Sequence, residues 1–165
     1  MVYNFPRIYM ETIDIVIETP KHCSQKFAYD KKTGCFRLHK ILPEGMVFPF
    51  DFGFIPHTTG EDGDPLDALV ISEFKTFPGC LIECRLIGAE LAEQKEDGKT
   101  IRNDRYFFIP ILSRQFKKIE EINDLPKQFR KETEDFFIQY NKAMGKEFNI
   151  LKIIEAKKAF QAIKK

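Results

Sequence analysis

The chain has 165 residues, 31% of them charged, with 26 Lys and Arg against 25 Asp and Glu for a formal net charge of +1. That length supports one domain, residues 1–165, with a full hydrophobic core, and the balance lacks the basic excess of a dedicated nucleic-acid binder. No run approaches a membrane span and no N-terminal apolar stretch reads as a signal peptide, so a cytoplasmic protein with free, buried thiols at Cys23, Cys35, Cys80 and Cys84 is expected.

Along the chain, Thr12-Ile13-Asp14-Ile15-Val16-Ile17-Glu18 alternates apolar and polar positions until Pro20 stops it, which predicts a half-buried strand. Lys26–Tyr29 and Cys35–Leu42 flank Asp30-Lys31-Lys32-Thr33-Gly34, a hairpin loop in which Gly34 is free to take a positive φ. Phe48, Phe50, Phe52 and Phe54 are spaced by two, so an extended backbone would put their rings on one side.

Next comes Glu61-Asp62-Gly63-Asp64-Pro65-Leu66-Asp67, four carboxylates in seven residues. Asp62, Asp64 and Asp67 repel one another, so a fold that gathers them needs cations or shared protons. Gly63 and Pro65 disfavour a helix and favour a stiff turn. Leu66 and Ala68-Leu69-Val70-Ile71 then lead into a buried strand. A rigid, carboxylate-only loop at a strand edge suits a hard divalent cation such as Mg²⁺ or Mn²⁺, and it lacks the 12-residue spacing of a calcium EF-hand. A solvated Asp/Gly/Pro turn is the plainer reading of these residues taken alone.

Cys80–Leu91 and Ile101–Ile109 are the longest strand candidates, joined by the polar turn Glu96-Asp97-Gly98-Lys99. After Pro110 the period changes. Asp124 can cap a helix whose first turn holds Pro126, with Phe129, Phe136, Phe137, Tyr140 and Met144 on one face and Gly145 as a stop. A second short helix spans Glu155–Ile163, and Lys142, Lys146, Lys152, Lys157, Lys158, Lys164 and Lys165 read as solvated helix surface. Strands first and helices last predict an α+β fold, a small closed barrel with two C-terminal helices packed outside.

Asp-Gly-Asp-Pro-Leu-Asp leading into an apolar strand resembles the signature of the soluble family I inorganic pyrophosphatases. The resemblance extends to Val16-Ile17-Glu18-Thr19-Pro20, Lys26, the Gly34 hairpin, Gly53-Phe54-Ile55-Pro56-His57-Thr58, Pro78-Gly79, Asn123-Asp124-Leu125-Pro126 and the Phe136-Phe137 to Tyr140 helix. It implies a five-stranded OB-like barrel with flanking helices and Mg²⁺-dependent hydrolysis of pyrophosphate to two phosphates. Several metal ions and a bacterial homohexamer belong to the same expectation. By this resemblance Asp62 and Asp67 are metal ligands, Asp64 orients or deprotonates the attacking water, and Glu18 holds a further metal. Lys26, Lys40 and Arg105 bind phosphate, and Tyr140 donates a phenolic hydrogen bond to it. His57, beside the acidic loop, reads as structural.

The chain departs from that pattern at several positions. The carboxylate two residues after Lys26 is Ala28, the strand arginine is Lys40, two tyrosines are Phe48 and Phe52, and the lysine after Tyr140 is Asn141. On the long hairpin the Asp-x-Lys pair reads Asn103-Asp104-Arg105, which makes Asn103 a candidate metal ligand. Alternation lets Arg105 share a face with Asn103 but sends Asp104 the other way unless a bulge intervenes. A second hairpin aspartate falls on Gln94 or on Asp97. Phe48 and Phe52 would make the mouth more apolar, which suits another diphosphate-containing substrate. Ala28, Asn103 and Asn141 would suit a weakly active metal- and phosphate-binding homologue.

Overall fold

The alternation near the start of the chain becomes strand β1 (Ile13–Thr19), which buries Ile15, Ile17 and Thr19 and turns Glu18 the other way. This is a computed structural model, and it describes residues 11–164. β2 (Gln25–Asp30) and β3 (Cys35–Ile41) form the separate two-stranded hairpin, with Gly34 at φ +67° in its loop. β4 (Asp51–Phe54), β5 (Asp67–Val70), β6 (Leu81–Glu96), β7 (Lys99–Arg102) and β8 (Arg105–Pro110) follow.

Pairing runs β1–β4–β5–β8–β6 and returns from β6 to β1, which closes the five-stranded ring expected from the sequence. β5 and β8 pair in parallel, and the other contacts of the ring are antiparallel. The ring is uneven because β6, at 16 residues, outruns its partners and carries β7 and β9 (Glu147–Glu155) on its far half. At Gly53 a side chain is excluded: a Cβ there would lie 2.0 Å from the carbonyl oxygen of Val16. Asp97 and Gly98, at φ +49° and +76°, make the two-residue turn between β6 and β7. Consecutive left-handed residues suit such a turn, whose twist matches that of the strands.

Alternation on the ring strands splits the core in two. Ile15, Ile17, Val70, Leu86 and Phe108 gather with Ala159 of α2 (Ala156–Ile163). Phe48, Phe50, Phe52, Leu69, Ile87 and Phe107 gather with Phe137 and Tyr140 of α1 (Lys127–Ala143). Three of the four evenly spaced phenylalanines therefore meet as expected, while Phe54 ends β4 and lies 6.2 Å from the ring of Tyr29. Phe48 and Phe52 are buried, so they do not line an apolar mouth and lend no support to an alternative substrate.

Four expectations change. Asp124 does not cap α1, which starts at Lys127 after Pro126; its carboxylate instead accepts from the backbone N–H groups of Glu120 and Glu121 and closes a 3-10 turn at Ile122–Asp124. A strand, β9, separates the two helices, because Phe148 and Ile150 pack against the α1 core at strand spacing and a register shift at Leu151 brings Ile153 to the same side. Lys146 and Lys152 therefore belong to that strand region and not to a helix surface, Lys146 pairing with Glu96 at 2.8 Å, and Lys165 lies outside the described residues. All four cysteines are free, yet only Cys84 is buried, where desolvation drives its thiol pKa strongly up, and Cys35 is exposed. Among the described residues no helix is long and apolar enough to cross a membrane.

Candidate active site

One row of backbone partners crosses the ring: Phe54 opposite Asp67, Asp67 opposite Arg105, Arg105 opposite Glu90. Strand ends therefore converge on the acidic loop, with Asp67 opening β5, Arg105 opening β8 and Glu18 one residue from the end of β1. The loop is held by its own backbone. Gly60 N–H donates to the Asp64 carbonyl at 2.7 Å, and Gly63, at φ +84°, donates to the Gly60 carbonyl at 3.1 Å. The Asp62 carboxylate accepts from Asp64 N–H at 3.0 Å, and Leu66 N–H donates to the Thr58 hydroxyl. Glu61 anchors the outer edge by accepting from Arg102 N–H at 2.9 Å.

Asp67 and Arg105 form an ion pair through Nη1, with Arg105 buried and the Asp67 side chain about a quarter exposed (27%). The Arg105 guanidinium stacks 4.2 Å from the Phe137 ring centroid and 4.8 Å from that of Phe148, which fixes its plane. Burial pushes the Asp67 pKa up. The charges of Arg105 and Lys26 oppose the rise, and that of Asp62 adds to it. Glu18 behaves alike: desolvation raises its pKa, against the hydrogen bond from Tyr29 N–H at 2.7 Å and the charge of Lys26, while Asp67 and Asp64 push it further.

The fold thus brings Glu18, Lys26, Asp62, Asp64, Asp67 and Arg105 within electrostatic reach of one another. Lys26 Nζ lies 5.2 Å from the Phe52 ring and 5.5 Å from that of Tyr140, which ties the α1 tyrosine to the same corner. Lys40 is the cross-strand partner of Lys26, so the two cations share a face of the hairpin. Their field shows on His39, whose pKa falls through desolvation and then through Lys26 and Lys40. Asn141 points inward and donates to the Phe137 carbonyl, a structural bond where a site lysine was expected. Asp97 sits in the exposed hairpin turn, and His57 is exposed at φ +61° in the turn before the loop.

A crevice of about 20 Å³ opens between Gly60, Asp62, Pro65, Leu66, Asp67, Arg102, Asn103 and Asp104. Both Asn103 and Asp104 reach it because regular pairing lapses between β7 and β8, which suspends the alternation that would have divided them. The Asn103 amide nitrogen donates to Gln94 Oε1 at 2.8 Å, so its amide oxygen is the group left for another partner. Asp104 accepts from Ala92 N–H and from the Arg102 guanidinium, so it is already engaged. Asp104 was expected here only if a bulge intervened, and Arg102 was not read as a site residue, since a lapse in a ladder leaves no trace in hydrophobic period.

Among the described residues no three His, Cys, Asp or Glu side chains enclose a point. The crevice holds one water-sized species, and its lining includes Asp62, Asp67 and Asn103, whose side chains carry hard oxygen donors. One or two carboxylates completed by water is the usual protein share of a Mg²⁺ site, so the residues fit.

A family model described as inorganic pyrophosphatase matches residues 15–165. An inorganic pyrophosphatase of Synechocystis is 36% identical over 139 residues, 84% of this chain and 80% of its own length. That of Streptomyces coelicolor is 39% identical over 127 residues, 77% of this chain and 76% of its own. The crystal structure of inorganic pyrophosphatase from Thermus thermophilus superposes with a TM-score of 0.86 at 30% identity, covering 95% of this chain and 90% of that one.

Proposed function

The chain belongs to the inorganic pyrophosphatase family, and from that premise we propose that it hydrolyses pyrophosphate to two phosphates at the crevice beside Asp67, with Mg²⁺ or Mn²⁺ in its place. The observation that carries the site is the Asp62–Asp64–Asp67 loop set against Glu18, Lys26 and the buried Arg105. Asp62, Asp67 and Asn103 would hold one ion and Glu18 a further one. Bound cations would neutralise phosphate oxygens and lower the pKa of water, the two things a dense polyanion needs before water can attack it.

The chain's own residues do the rest. Asp64, exposed at the loop tip, accepts the proton of the attacking water as its oxygen bonds to phosphorus and the bridging P–O bond breaks. Lys26 and Lys40 meet the charge that develops on the leaving phosphate, Arg105 adds fixed positive charge at the floor, and the Tyr140 hydroxyl donates to phosphate. The test is phosphate release from pyrophosphate by pure protein with Mg²⁺; no release would overturn the proposal. Replacing Lys26 with Ala should lower kcat/KM for pyrophosphate about tenfold, the worth of one charge-assisted hydrogen bond, with circular dichroism unchanged.

We propose further that the chain is a single-domain cytoplasmic protein and a homohexamer. Phe77, Leu81, Ile111 and Leu112 stand exposed around a groove of about 380 Å³, a surface suited to self-association. Sedimentation equilibrium should return six times the chain mass of 19.3 kDa, and a monomer would rule the assembly out.

A further inference from the structure

Glu90 lies in the middle of β6, where its neighbours Ala89 and Leu91 face the cluster of Ile15 and Phe108. Alternation turns Glu90 the other way, toward the α1 side of the core. It is fully buried, and neither carboxylate oxygen has a hydrogen-bond partner among the described residues. A buried acid without a partner costs stability that any apolar residue would spare. Its position answers the question of use. Its backbone partner is Arg105, whose own Nε is also unpartnered, and its other ladder neighbour is the apolar Ile153 of β9. The charged groups facing it are Glu134, Arg105 and Arg130, the first and last from α1; Arg130 donates through Nη1 to Asn123, and its Nε is unpartnered like that of Arg105.

Arg105 therefore has two acids near it, Asp67 paired with it in the site and Glu90 as its ladder partner, which feels its charge without a hydrogen bond to it. With Asp67 alone, the guanidinium would neutralise the carboxylate meant for a cation. A second acid shares that positive charge and leaves Asp67 more of its own. We propose that Glu90 is a positioning residue for this reaction, the inner counter-charge that seats the Arg105 guanidinium and keeps Asp67 available to a divalent cation. This rests on the reading of Asp67 and Arg105 as site residues. Burial also pushes the Glu90 pKa up to about 7, so its charge changes in the neutral range.

Glu90→Leu and Glu90→Gln test it beside the parent, by pyrophosphate turnover under saturating Mg²⁺ from pH 5.5 to 9. Both variants should lose kcat by about tenfold while KM moves by less than about threefold, and the inflection near pH 7 in the parent's kcat/KM profile should vanish. A variant that keeps the parent's kcat and its pH profile overturns the proposal. Calorimetric titration of the metal-free proteins with Mn²⁺ keeps the test independent of turnover. Affinity about tenfold weaker in Glu90→Leu supports the role even if the parent proves inactive on pyrophosphate, and equal affinity sinks it.

Discussion

Asp64→Asn should lower kcat for pyrophosphate by about a thousandfold, near 4 kcal/mol of barrier, while the melting temperature stays where it is. The reasoning is local. Asp64 contributes its N–H and its carbonyl to the loop, and neither bond involves the side chain. Its carboxylate accepts no hydrogen bond among the described residues, so it is spared for chemistry. Asparagine keeps shape and loop geometry and removes only basicity. The contrasting variant is Asp62→Asn, whose carboxylate both faces the crevice and accepts Asp64 N–H, so there the loop and the donor set change together. Initial rates with saturating pyrophosphate and Mg²⁺ decide the matter. An Asp64→Asn protein as fast as the parent would place the base elsewhere.

Much of the fold was legible because period and punctuation agreed. The β1 alternation, the Gly34 and Asp97-Gly98 turns and the aromatic face of α1 all became what their patterns required. β9 was not seen because Phe148, Ile150 and Ile153 stand among lysines that read equally well as a wet helix face. The acidic loop stood out as a candidate cation site because four carboxylates fall within seven residues. Its surroundings were less legible. Whether Asn103 or Asp104 meets the crevice turned on a lapse in pairing between β7 and β8, a tertiary event that local sequence does not encode. Glu90 did carry a signal, a lone acid in the otherwise apolar stretch 86–92, but only the fold shows that it lies opposite Arg105.

That buried acid also sets how stability should depend on pH. The Glu90 pKa is about 7 in the folded chain against 4.5 when unfolded, raised chiefly by desolvation and then by Glu134. A raised folded pKa means that the folded state holds the proton more tightly. Its contribution is complete below pH 4.5 and lost as the pH climbs through about 7, where the acid must ionise inside the core. The displacement corresponds to about 3 kcal/mol. Glu90→Gln cannot ionise, so parent and variant should unfold alike near pH 4.5, and at pH 8 the variant should be more stable by about 3 kcal/mol, or roughly 6–12 °C in Tm for a chain of this size. Glu18 and Asp51 also have raised pKa values, but they titrate in both proteins and cancel in the difference. Denaturant melts at several pH values measure it, and parallel curves would mean that Glu90 finds a partner in solution. A variant both sturdier and slower than its parent is what a group kept for function at the expense of the core must give. One that is sturdier and equally fast would mark Glu90 as a tolerated defect.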